Sequence, residues 1–152
     1  DRTVDQMIQS ARSGKQNIVE GSMASATSVE SEIKLTNVAR SSLEELLEDY
    51  RDFMRTHGIE EWDPTHPFAG RLKELNRQPN PTYDHFRKGI ENSDPAICVN
   101  VIVGLIRVTT YLLDRQIRSQ EQAFLMKAGI RERMTRARLS ERSRLKPGPE
   151  TT

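Results

Sequence analysis

Apolar and polar positions recur with a helical period along most of this chain, and the strongest signal lies at residues 95–127. That stretch opens on Asp94-Pro95, a good N-cap residue followed by proline at the first helical position. It closes on Lys127-Ala128-Gly129, a cation in the last turn and then a glycine stop. Between these ends, residues 96–106 are apolar almost all round. A helix apolar on every side is normally enclosed by other helices. At about 1.5 Å per residue this one would run about 50 Å, the height of a tall bundle.

Two further amphipathic patterns precede it. Val4, Met7, Ile8, Ala11 and Ile18 recur at spacings of three and four and predict a helix over 3–19, with Gly21 as its stop. Gly14 inside that helix costs about 1 kcal/mol relative to alanine and marks a close approach of another backbone. Small polar residues at 22–28 read as a loop, and Thr27-Ser28-Val29-Glu30 has capping-box spacing. Ile33, Leu35, Val38, Ala39, Leu43, Leu46, Leu47, Tyr50, Phe53 and Met54 then predict a helix over 28–56 that ends at His57-Gly58. Its outer face carries the acidic band Glu44, Glu45, Glu48, Asp49 and Asp52, which reads as a solvated face.

Between 58 and 94 the texture changes, and five of the seven prolines fall between Pro64 and Pro95. Two short helices fit, over 67–77 and 83–91, which makes the stretch an elaborated crossover between long helices. Trp62 is expected to close this loop against the bundle. Further on, Asn100 and Gly104 share one face of the long helix. The glycine admits a close neighbour, and the amide needs a partner. Either the amide fixes register or oligomer state in an apolar seam, or it bonds within its own chain. Leu112, Leu113, Ile117, Phe124 and Leu125 continue a narrower stripe.

Composition narrows the classes. With 152 residues, 30% charged and only 5% aromatic, the chain suits an all-α protein with one core. A net charge of +1 gives no global case for nucleic acid or membrane. The single cysteine, Cys98, excludes an internal disulfide and reads as a small buried side chain. No signal peptide is visible, and the apolar run reads as too short for a bilayer, so a cytoplasmic protein without membrane contact is expected.

Charge is unevenly spread. After Gly129 come Arg131, Arg133, Arg136, Arg138, Arg142, Arg144 and Lys146, with Glu132 and Glu141 among them. The expected organisation is a helical bundle over 1–128 and a basic suffix over 129–152 whose last residues fray. Arginines at that density neutralise phosphates in a salt-dependent, sequence-blind manner. Arg131, Arg133, Arg136, Arg138, Arg142 and Arg144 are therefore the candidate contacts for RNA or DNA. No aromatics interleave them, so base stacking is not expected. Two other uses stay open: pairing with the acidic band of the same or a neighbouring subunit, and holding a protein partner.

Catalytic chemistry finds little footing. His57, His66 and His85 form no zinc-hydrolase spacing, and Asp63, His66 and His85 are the only set that could be imagined around a metal. There is no glycine-rich phosphate loop and no G-x-S-x-G. The expectation is a non-enzyme with no metal, cofactor or small-molecule substrate.

Two segments carry a family resemblance. Ser10-Ala11-Arg12-Ser13-Gly14-Lys15-Gln16-Asn17-Ile18-Val19-Glu20-Gly21 resembles the R-x-A-x-S-I-x-x-N-I-A-E-G segment of the bacterial four-helix-bundle proteins first noticed in intervening sequences of 23S ribosomal RNA genes. Val38-Ala39-Arg40-Ser41-Ser42-Leu43-Glu44-Glu45-Leu46 resembles that family's I-A-x-G-S-L-x-E-L segment. The wide crossover and the basic suffix depart from the usual pattern and are similar to a subgroup with an extra C-terminal portion. The resemblance implies an antiparallel up-and-down four-helix bundle, a ring-like homo-oligomer, often a pentamer, and a non-enzymatic role. It marks Asn17, Glu20 and Gly21 as structural residues at a helix end. A related branch is a basic, nucleic-acid-binding accessory subunit of reverse transcriptases. A protein-interaction scaffold without nucleic-acid contact is the alternative role.

Overall fold

The computed structural model describes residues 2–25 and 28–145. Among them there are five helices and no strand: α1 (Arg2–Ala24), α2 (Val29–His57), α3 (Pro67–Asn76), α4 (Tyr83–Ile90) and α5 (Pro95–Arg144). The all-α expectation therefore holds. The chain divides after Ile117 into two units.

Helix ends follow local chemistry where that chemistry is decisive. Ser28, extended at φ −153°, caps α2 by accepting from Ser31 N–H at 3.2 Å. The cap expected at Thr27 lies outside the described residues, as do Lys146 and the chain's last six positions. Gly58 at φ 63° is the left-handed residue that stops α2. A side chain is disfavoured at such a φ, so the expected stop at His57-Gly58 stands. His66 caps α3 with Nδ1, and Thr82 with His85 forms a reciprocal cap on α4. These two short helices occupy nearly the expected spans.

Two glycine stops fail. Gly21 lies inside α1, buried against Leu35 and Thr36: a β-carbon there would lie 3.4 Å from Leu35 Cβ. Gly129 lies inside α5 with open space around it. Neither has a positive φ. Glycine ends a helix only where the chain needs that conformation, and here good helix formers follow it.

In the first unit α1 doubles back on α2. Contacts pair Gly21 with Leu35 and Thr36, Gly14 with Ala39 and Leu43, and Ser13 Oγ with Ser42 Oγ at 2.9 Å. The α1 stripe expected to be buried is not: Val4, Ile8 and Ile18 are 50%, 45% and 37% exposed. Gly14 and Gly21 let α1 settle on α2 through small residues, and this close approach rotates the aliphatic stripe outward. Only Met7 of that stripe packs against the core.

The core lies between α2 and the first half of α5. Ala39, Leu43 and Leu46 meet Ile106 and Leu113, and Met54 meets Val99 and Val103. Val103 is the most buried large side chain, 2% exposed. The opposite face of α5 meets the crossover helices. Gly104 lies beneath Leu72 of α3, and Gly89 of α4 lies beneath Val101. This two-sided cover explains why residues 96–106 need to be apolar all round. The crossover supplies a wall of the core.

Asn100 fastens the wall. Its Nδ2 donates to Glu60 O and to Ala96 O, each at 2.9 Å, and its Oδ1 accepts from Trp62 N–H at 2.8 Å. Of the two uses left open above, the intrachain one is realised. Beside it, Glu61 accepts from Arg51 Nε at 3.3 Å and pairs with Arg107 at 2.8 Å, tying the crossover to α2 and α5. Trp62 is half-buried and stacks on His66, ring centroids 4.7 Å apart.

The second unit is a helix from Arg118 onward. Of the stripe expected to run through both units, Leu113 and Ile117 are buried, while Leu112, Phe124 and Leu125 are 55%, 42% and 67% exposed. By length and composition α5 is apolar enough to cross a bilayer, contrary to the reading of its run as too short. The core helix of a soluble protein passes the same test.

Candidate nucleic-acid interface

The six arginines predicted as contacts all lie in α5 and are all exposed. Arg136 pairs with Glu132 one turn earlier, and Arg144 pairs with Glu141 at 3.6 Å. Arg131, Arg133, Arg138 and Arg142 have no carboxylate partner among the described residues. At about 100° per residue, Arg131, Arg138 and Arg142 fall along one side of the helix, with Lys127 one turn before them. Along the axis they sit about 6, 10 and 6 Å apart, counting from Lys127. Arg133 lies on the other flank of the apolar line Ile130, Met134 and Ala137. Such a row of unpaired guanidinium groups can neutralise phosphates and carries no base-reading geometry.

The acidic band of α2 is mostly satisfied locally. Glu44 pairs with Arg40 at 3.3 Å, Glu48 with Arg51 at 2.6 Å, and Asp52 with Arg55. Only Glu45 and Asp49 lack such a partner among the described residues; they line an open polar groove between α1 and α2 of about 810 Å³. Arginines already on α2 thus occupy most of that band.

The motif residues turn out to be mid-helix. Asn17 donates to Ser13 O at 2.9 Å, Glu20 accepts from Gln16 at 2.8 Å, and Gly21 provides the contact with α2. They sit within α1, which continues to Ala24, and not at its end.

Groups with reactive chemistry are scattered. His57 closes α2, His66 caps α3, and His85 caps α4. Asp63 accepts from both the N–H and the hydroxyl of Thr65, and these bonds hold its carboxyl below the usual value. No three of the histidines, cysteine and carboxylates come together among the described residues, so Asp63, His66 and His85 do not converge. Cys98 is half-buried, donates to Ile90 O at 2.9 Å, and is pushed up in pKa by burial. Tyr50 is raised by burial, with Cys98 adding to the effect.

Sequence reading did not reveal the pocket between α3, α4 and α5, about 330 Å³, because its wall residues come from three separate stretches. The proline-rich texture of the crossover was its only trace. Compared with known protein families, curated proteins and solved structures, the chain matches none.

Proposed function

We propose that this is a non-enzymatic, cytoplasmic helical-bundle protein of the up-and-down four-helix type that assembles with itself and holds RNA or DNA along the basic half of α5. The observation that carries this reading is the row of unpaired, exposed arginines at 131, 138 and 142, with Lys127 in line. Sequence-blind phosphate binding needs no more than this row. The resemblance to the proteins of ribosomal RNA intervening sequences favours the same reading and supplies the pentamer as the expected assembly. Self-assembly is also supported by Val4, Ile8 and Ala11 of α1, which with Leu46, Tyr50, Phe53 and Val99 line an apolar groove of about 350 Å³. The long helices α1, α2 and α5 would fill three positions of a four-helix bundle, and this groove is where a fourth, from another copy, would lie.

Affinity for a short RNA or DNA duplex should fall with a log–log salt slope of about −3 to −4 if four phosphates are neutralised. The triple charge reversal Arg131→Glu, Arg138→Glu and Arg142→Glu should abolish binding without changing the melting temperature. Binding that survives the reversal rejects this role for the arginines.

The second reading is a protein-interaction scaffold. It is favoured by the apolar side chains standing among the arginines: Met126, Met134 and Leu139 are 70%, 54% and 57% exposed. Retained capture of one defined protein by the charge-reversed chain, with no nucleic acid bound by the native chain, selects this reading.

A further inference from the structure

The pocket enclosed by α3, α4 and α5 is chemically unlike the rest of the surface. Its wall is apolar and aromatic: Trp62, Phe68, Leu72, Phe86 and Val101 line it. Phe86 and Val101 are buried, whereas Phe68 is 49% exposed and its ring lies 5.5 Å from that of Trp62. A chain with only 5% aromatic residues has placed three of them around one cavity.

Its charge is one-sided. Arg71 and Lys88 line the pocket, and no carboxylate does. Elsewhere in the first unit Arg40, Arg51, Arg55, Arg87 and Arg107 each have an acidic partner. Arg71 and Lys88 have none among the described residues. His85 also lines the pocket. Its Nδ1 accepts from Thr82 N–H at 3.0 Å, which fixes the ring at the start of α4.

The walls are held firmly in place. A β-carbon at Gly89 would lie 2.8 Å from Val101 Cγ2, so α4 already sits as near α5 as glycine permits. Leu72 lies on Gly104 in the same way. A cavity of about 330 Å³ is at the small end of ligand sites and takes a body of two fused rings.

We propose that this pocket is a binding site for a small aromatic anion, a flat apolar body bearing one carboxylate or comparable acid group. The rings pack against Phe68, Phe86 and Trp62. The acid group meets Arg71 and Lys88, where charge-assisted hydrogen bonds replace its water. This site is separate from the basic half of α5 and does not depend on nucleic-acid binding there.

The test is calorimetric titration of the full chain with three probes of one shape: 1-naphthoate, uncharged 1-naphthalenemethanol and cationic 1-naphthylmethylammonium. Naphthoate should bind saturably at one site, about tenfold or more tighter than the alcohol, with the cation weakest. The double variant Arg71→Gln, Lys88→Gln changes exposed positions only and should keep its melting temperature. It should lower naphthoate affinity to that of the alcohol and leave the alcohol unchanged. Charge reversal at Arg131, Arg138 and Arg142 should leave naphthoate binding intact. Absence of saturable naphthoate binding, equal affinity for all three probes, or a double variant that binds naphthoate as the native chain does would each overturn the proposal. Naphthoate binding lost on reversal of the suffix arginines would overturn it too.

Discussion

The two parts of α5 make an instructive contrast. Residues 95–117 and 118–144 continue one helix, yet the first part carries all its buried residues and the second is exposed almost throughout. From Ala96 to Ile106 there is no charged side chain, and β-branched residues dominate. Such residues are mediocre helix formers, so that part is helical because α2, α3 and α4 pack against it. The second part is rich in arginine, glutamate, alanine and methionine, which favour helix without help. Local pairs such as Glu132 with Arg136 add a few tenths of a kcal/mol each. One secondary structure thus has two origins, burial in one part and propensity in the other.

The contrast can be broken most severely by placing a charge in each part. Val103→Asp would bury a carboxylate without a partner and should cost about 4 kcal/mol or more, enough to remove a cooperative thermal transition. Met134→Asp at an exposed position should change stability by less than about 0.5 kcal/mol. Equal effects, measured by circular dichroism melts, would mean that the second part is buried as deeply as the first.

A smaller loss comes from the clamp on the crossover. Asn100→Ala leaves Trp62 N–H and the Glu60 carbonyl without their partner and should cost about 2–3 kcal/mol in urea unfolding. The same change at exposed Asn80 should cost less, about 1 kcal/mol, because alanine is disfavoured at its left-handed φ of 52° and no buried group loses a partner. Equal costs at the two sites would deny Asn100 its fastening role.

Glycine gives a sharper test because one substitution should act with opposite sign. Gly89→Ala drives a methyl into Val101, whose χ1 is stiff in a helix, and should cost about 1–2 kcal/mol. Gly129→Ala meets open space in a helical conformation and should add about 0.5–1 kcal/mol of local helix stability. Carbon-13 shifts of residues 118–144 would read the second effect, and global unfolding the first.

The mildest effect concerns Cys98. Burial raises its pKa, so at pH 8 less thiolate is present than in an exposed cysteine, and iodoacetamide should label it more slowly than the urea-unfolded chain. The sign for stability follows. Folding favours the neutral thiol, so the contribution is complete below the unfolded pKa and is lost as pH rises through the folded one. Labelling as fast as in the unfolded chain would show that the first part of α5 opens readily.

Sequence periodicity carried the helices well where a stripe, a cap and a stop agreed, as in α2, with its Ser28 cap and Gly58 stop. It carried the two crossover helices through their prolines and capping residues. It misplaced the ends of α1 and α5 because Gly21 and Gly129 look alike as letters. One is a packing glycine and the other an open helical one, and only neighbours across space tell them apart. The candidate arginines were legible as a charge run, whereas their pairing state was not. The pocket was hidden because Phe68, Phe86 and Val101 are far apart along the chain.

By itself, then, the order of residues determined that the protein is helical, where its apolar mass lies, and where its cations gather. Those properties are local: they follow from spacing, from caps and from which side chains favour a helix. Tertiary structure alone decided which face of α1 meets α2, that Asn100 bonds within its own chain, and that the crossover forms a wall of the core. These depend on close approach between distant segments, where a missing β-carbon outweighs a stripe of aliphatic side chains.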